Sequence, residues 1–83
     1  MYYVYVIRSQ VDGKLYKGFT TDLKERIRAH NQKEVKSTRN RGPFKLVYSE
    51  KYECMEEALK REKFLKSLQG GKELKKMLSN APR

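Results

Sequence analysis

Apolar positions along the chain fall into separate blocks whose spacing changes from one block to the next. Tyr2-Tyr3-Val4-Tyr5-Val6-Ile7 is apolar on both alternating faces, the mark of a central strand covered on both sides. Asp12-Gly13 reads as a tight hairpin turn, since both residues tolerate the positive φ such turns require, and Lys14 to Phe19 follows as a second strand. Thr21 is placed as the N-cap of a helix over Asp22 to Asn31, with Asp22 and Glu25 suiting the positive end of its dipole. Leu23 and Ile27 face a core at i, i+4. Gln32 through Arg41 turns polar and predicts an exposed basic loop, closed by Pro43 before a third strand over Phe44 to Tyr48. From Glu53 to Leu68, Met55, Ala58, Leu59 and Leu65 form an apolar stripe at helical spacing, with Phe64 off the stripe. Gly70-Gly71 predicts a break, and Lys72 to Ser79 a short last helix. The expected fold is α+β, order β-β-α-β-α-α: a small three-stranded antiparallel sheet flanked by helices, in one domain over residues 1–83.

Composition narrows the class. A chain of 83 residues buries only roughly 60–65% of the surface its unfolded form exposes. Its 37% hydrophobic and 11% aromatic content is nonetheless too rich for a disordered tail. No apolar run approaches the ~20 residues needed to cross a bilayer, and the apolar start lacks the basic stretch of a signal peptide. A cytoplasmic protein without membrane contact is expected. Cys54 stands alone, so an internal disulfide and a cysteine-built zinc site are excluded, and a structural role is expected for it. Twenty Lys and Arg against ten Asp and Glu give a net charge of +10. Such an excess attracts polyanions through counterion release, which makes nucleic acid the expected partner; a solubilising or protein-binding basic surface is the alternative.

Some residues stand out of place. Measured from Met55 at about 100° per residue, Glu62 falls in the middle of the helix stripe. It is either ion-paired to a nearby Arg or Lys, or a metal ligand or acid–base group facing a cleft. Arg26 and His30 stand at i, i+4 on one helix face. Arg26 offers a planar fork that matches phosphate oxygens, with a surface ion pair to Asp22 as the alternative. A two-residue turn at Asp12-Gly13 sets Ser9 opposite Tyr16 and Ile7 opposite Gly18. Tyr5 and Tyr16 then share a sheet face, yet lie about four residues, or ~13 Å, apart along the strands. They are either core aromatics or part of a site in a different register.

Taken in order, Tyr3-Val4-Tyr5, Tyr16-Lys17-Gly18, Thr20-Thr21-Asp22-Leu23, Arg26 and His30-Asn31 resemble the signature of the GIY-YIG nuclease family. Ala58-Leu59-Lys60-Arg61-Glu62-Lys63 is similar to that family's helix bearing the metal-binding glutamate. The resemblance covers nearly the whole chain and is greatest to small, stand-alone bacterial members. It implies a phosphodiester-cutting domain using one divalent metal, Mg2+ or Mn2+, on nucleic acid, with DNA the expected substrate. By the same resemblance Glu62 binds the metal and Tyr5 helps deprotonate the attacking water. Tyr16 supports Tyr5 or orients the phosphate, Arg26 stabilises charge on the scissile phosphate, and His30 assists nearby. Gly18 lets backbone and substrate approach closely. An ordinary tyrosine, with a pKa of about 10, is a weak base near neutrality, so metal or arginine must lower its pKa or that of the water.

The chain departs from the pattern in carrying Tyr3 where the name-giving glycine would stand and Lys17 where isoleucine would. The family's late asparagine has no counterpart around Lys75 to Met77. No added DNA-reading segment is present, so specificity is expected to come from a protein partner. The alternative function is a weak or inactive nucleic-acid-binding module of the same fold. Lys17, Lys36, Arg39 and Arg41 are the expected phosphate contacts, and under the alternative Lys36, Arg39, Arg41 and the basic last helix outweigh Glu62.

Overall fold

A computed structural model describes residues 1–80; the final three positions of the domain expected over 1–83, and the side chain of Asn80, lie outside the described residues. The elements are β1 (Tyr2–Ser9), β2 (Leu15–Thr20), α1 (Leu23–Asn31), β3 (Phe44–Tyr52), α2 (Met55–Lys66) and α3 (Leu68–Asn80). The strands form one antiparallel sheet in the order β2-β1-β3, so the expected fold class and element order hold.

β1 is the central strand because both of its faces are needed. Val4 and Val6 point to one side, where Ala58 and Leu65 of α2 and Leu74 of α3 complete a buried cluster. Tyr5 and Ile7 point to the other, against Phe44 and the α1 residues Leu23 and Ile27. Each face of this short strand therefore anchors its own small core.

The hairpin register differs from the one expected. Ile7 pairs with Tyr16 and Tyr5 with Gly18, which slips β2 by two residues relative to a two-residue turn. Such a turn of the I′ type needs positive φ at both central residues. Gly13 has φ +73, but Asp12 does not join it. Ser9 is buried, and its Oγ instead accepts Val11 N–H at 3.1 Å and Asp12 N–H at 3.3 Å, shaping a longer loop. The slip leaves Tyr5 and Tyr16 as diagonal cross-strand neighbours, about 7–8 Å apart rather than ~13 Å.

β3 runs four residues beyond the expected Tyr48, and a bulge opposite Val6/Ile7 divides it. One extra residue inverts the alternation of side chains from that point on. Phe44 and Leu46 share the α1 face, whereas Tyr48, Glu50 and Tyr52 point to the α2 face. There Glu50 takes both Arg61 Nε (2.9 Å) and Nη2 (3.0 Å) and accepts the hydroxyls of Tyr48 and Tyr52.

The helix boundaries also move. Asp22, not Thr21, caps α1, its carboxylate accepting Glu25 N–H at 3.1 Å. Gly70-Gly71 lies inside α3 and breaks nothing. Ser67 caps that helix through Gly70 N–H (3.1 Å), and Gly70 is glycine because a Cβ would collide with the Phe64 carbonyl of α2. On α2 the buried seam is Ala58 and Leu65, with Phe64 packed beside it. Met55 and Leu59, expected in the core, are exposed because the seam is rotated away from them. Arg61 and Glu62, about 100° apart, stand on opposite flanks of that seam: Arg61 towards β3, Glu62 towards β2. Among the described residues no helix is long and apolar enough to cross a membrane.

Candidate active site

β2 pairs with β1 alone, and four consecutive β2 residues, Tyr16 to Phe19, line one concavity of about 220 Å3. Consecutive strand residues point to opposite faces, so this pocket wraps around the open edge of the sheet. α1 contributes Arg26 and His30 from one face, and α2 contributes Glu62 and Lys66 from the other. Tyr5 reaches it from the central strand. Tyr5, Tyr16, Arg26, His30 and Glu62 thus all line one pocket, as does Lys17.

The Tyr5 hydroxyl is the hub. It lies 2.8 Å from His30 Nε2 and accepts Arg26 Nε–H at 3.2 Å. His30 Nδ1 is held 2.7 Å from Thr38 Oγ1, whose own proton can turn to the Val35 carbonyl (3.5 Å). With that arrangement Nδ1 carries the hydrogen, and Nε2 is free to accept the Tyr5 proton. Burial, and then the Arg26 charge, hold His30 below its ordinary pKa of 6.5, which keeps the ring neutral. Tyr16 packs edge-on against Phe44, ring centroids 5.5 Å apart.

Arg26 does not pair with Asp22, whose carboxylate is occupied as the helix cap. No carboxylate lies within 4 Å of the Arg26 or Lys17 side chain among the described residues. Glu62 is the one carboxylate lining the pocket, and its Oε2 lies 3.1 Å from Lys66 Nζ. Both sequence readings of Glu62 therefore apply: it faces the cleft, and it is ion-paired. Lys66 is half exposed and tethered by a flexible stem, so the pair is weak and easily displaced. Mg2+ is bound through one or two carboxylates and completes its shell with water and substrate phosphate. A lone hard oxygen ligand in a cationic cleft fits that habit, and no cluster of three or more His, Cys, Asp or Glu exists among the described residues to suggest a closed metal cage.

Gly18 serves Tyr5. A Cβ at this buried position would strike the Tyr5 ring at Cζ and Oη, so only glycine lets the ring lie across β2 and reach His30. Gly18→Ala is expected to push the ring out, at an overpacking cost of about 2 kcal/mol and a fall of roughly 10 °C in Tm. An unaltered thermal melt would show that the ring relocates freely.

Lys36, Arg39 and Arg41 do not line the pocket. The loop carrying them is less open than expected. Thr38 is buried, Arg28 holds Glu34 at 2.8 Å, Arg41 pairs with Asp12 at 3.7 Å, and Asn31 Oδ1 accepts Phe44 N–H at 2.7 Å. The sequence reading missed Thr38, whose setting in Lys36-Ser37-Thr38-Arg39 gives no sign of burial. It also missed Lys66, which the i, i+4 spacing from Glu62 does disclose.

Comparison with known proteins bears on this geometry. The family model described as the GIY-YIG catalytic domain matches residues 1–75. A UPF0213 protein of Clostridium perfringens is 43% identical over 82 residues, covering 98% of this chain and 87% of that protein. A UPF0213 protein of Staphylococcus saprophyticus is 40% identical over 75 residues, covering 89% of this chain and 90% of that one. The solution NMR structure of a UPF0213 protein from Bacillus halodurans is similar with a TM-score of 0.58 and 37% identity, over 93% of this chain and 85% of that chain.

Proposed function

Because the chain belongs to the GIY-YIG catalytic-domain family, we propose that it is an endonuclease that hydrolyses phosphodiester bonds in DNA with Mg2+ or Mn2+. The observation that carries this reading is the meeting of Tyr5, Tyr16, Arg26, His30 and Glu62 around one cationic pocket.

Each side chain has a task that its contacts suit. Tyr5 takes a proton from the attacking water while passing its own to His30 Nε2, 2.8 Å away. Thr38 fixes the histidine tautomer that makes this transfer possible. Arg26 steadies negative charge on the Tyr5 oxygen and, with its remaining donors, on the phosphate. Lys17 and Lys66 add positive charge around the same space, and Tyr16 borders the place where a phosphate enters. Glu62 would hold the metal ion, which would supply Lewis-acid stabilisation of charge on the phosphate. Water's oxygen forms the new P–O bond, the ester P–O bond breaks, and the departing alkoxide takes up a proton.

The test is to incubate the protein with plasmid, branched DNA and structured RNA, in Mg2+ or Mn2+ and in EDTA. Metal-dependent cutting of DNA, lost in EDTA, is the expected result. The rate should be level above pH 7 and decline only below 6.5, since His30 must be neutral to accept a proton and its pKa lies below that ordinary value. An acid limb centred above 6.5 would remove His30 from the relay. The second reading, a catalytically silent nucleic-acid-binding module, is favoured by Glu62 having a cationic partner, Lys66, at 3.1 Å, as an ordinary helix ion pair would. Tight, salt-sensitive binding with no turnover in either metal would promote it.

A further inference from the structure

A larger concavity, about 570 Å3, lies beyond the active-site pocket, between the far end of the β1–β2 hairpin and the last turns of α3. Arg8, Lys14, Lys17 and Lys75 line it, and Asp12 is its only acidic neighbour among the described residues. That carboxylate is already engaged: Oδ1 accepts Lys14 N–H at 2.9 Å, and Oδ2 pairs with Arg41 at 3.7 Å. None of the four cationic side chains has a carboxylate within 4 Å among the described residues. Four cations thus share one concavity with one carboxylate, and Asp12 offsets part of the Lys14 charge. The gathering of these cations in a single groove, rather than their lack of ion pairs, distinguishes the cluster, since most Lys and Arg side chains have no carboxylate within 4 Å among the described residues.

The sheet register explains how the cluster arises. Val6 lies opposite Lys17 and Arg8 opposite Leu15, so Arg8 and Lys17 share the α3 face as diagonal neighbours. Leu15 and Leu78 pack onto the core beneath and give the groove a fixed floor. Lys17 lines both this groove and the active-site pocket, so a single cation on β2 borders both.

We propose that this groove is a second, non-catalytic phosphate-binding subsite that tracks the nucleic-acid backbone leading away from the scissile phosphate. It replaces the Lys36–Arg41 loop as the main backbone contact, since none of Lys36, Arg39 and Arg41 lines either concavity. The direction of the strand into the pocket rests on the nuclease reading; the groove's affinity for phosphate does not.

The side chains of Lys14 and Lys75 are exposed and form no hydrogen bond or ion pair among the described residues, so Lys14→Ala/Lys75→Ala should fold normally, checked by its melting temperature. Its partner in the test is Lys36→Ala/Arg39→Ala, which removes the same charge from the loop. Binding of a short fluorescein-labelled DNA duplex is followed by anisotropy across a salt series, beside Glu62→Ala. The groove pair should weaken binding at least about fivefold more than the loop pair and reduce the slope of log K against log salt by roughly 2, about 1 per lost phosphate contact. Equal effects of the two pairs, or a larger effect of the loop pair, would overturn the groove. Because binding is read without turnover, the two proposals fail separately. Cutting that survives Glu62→Ala would sink the metal role alone, and an unaltered salt slope in the groove pair would sink the groove alone.

Discussion

Glu62→Ala is expected to lower metal-dependent DNA cutting by roughly a thousandfold or more while leaving DNA affinity unchanged or slightly raised. The opposed effects follow from the site's charges. Glu62 is the one carboxylate in a pocket that also holds Lys17, Arg26 and Lys66. Removing it takes away the proposed metal ligand, and it also frees Lys66, now 3.1 Å from Glu62 Oε2, to meet phosphate. A general loss of structure would depress both quantities together. Single-turnover cutting and anisotropy on one preparation separate the cases. Cutting retained within tenfold would assign the metal elsewhere and leave Glu62 as an ordinary helix ion pair.

Glu50→Ala is expected to destabilise the protein by about 3 kcal/mol, a Tm fall of some 12–20 °C for a domain of this size. The carboxylate is mostly covered and accepts from Arg61 twice, from Tyr48 and from Tyr52. Without it Arg61 becomes a partly buried, unpaired charge beneath α2. Burial works against the ionised Glu50, but the hydrogen bonds from Arg61, Tyr48 and Tyr52 outweigh it and hold its pKa below 4.5. Burial, then the Glu50 carboxylate, push Tyr52 up to about 12. A depressed carboxylate stabilises fully above its unfolded pKa and loses that contribution as pH falls through the folded one. The penalty of Glu50→Ala should therefore be largest near neutrality and shrink below pH 4.5. Equal melting curves for both proteins at pH 7 would show that the cluster contributes nothing net. Arg61 and Glu62 are adjacent on α2, so the same clamp helps to set how far Glu62 is rotated towards β2.

Much of this was legible in the sequence, and the exceptions have physical reasons. The two-faced apolar run Tyr2 to Ile7 announced a central strand, and β1 is that strand. Leu23 and Ile27 were correctly placed against the sheet. The five candidate residues were named from the resemblance to the GIY-YIG signature, and they line one pocket. The hairpin register was misread because Asp12-Gly13 advertises a two-residue turn, while the buried Ser9 hydroxyl gathers the backbone N–H groups of a longer one. The second half of β3 was missed because Ser49-Glu50-Lys51 reads as a polar loop. Its alternation inverts at a bulge that no local pattern marks. Gly70 was taken as a breaker, whereas its missing side chain answers to a carbonyl on a different helix, a tertiary cause invisible to any window of sequence.

The position of the pocket on the rim of the sheet also limits how copies of this chain can associate. An unpaired strand edge invites another strand, and sheet extension is a common route to dimers and to aggregates. Here the open rim of β2 lines the candidate pocket, so a neighbour annealing along it would block that pocket. Lys14 and Lys17 make that encounter repulsive between two like copies, since each would bring the same cations to the same seam. The charges that would draw in a polyanion thereby disfavour self-association along β2, and among the described residues the free edge of β3 is left as the rim of the sheet along which self-assembly would leave the pocket open.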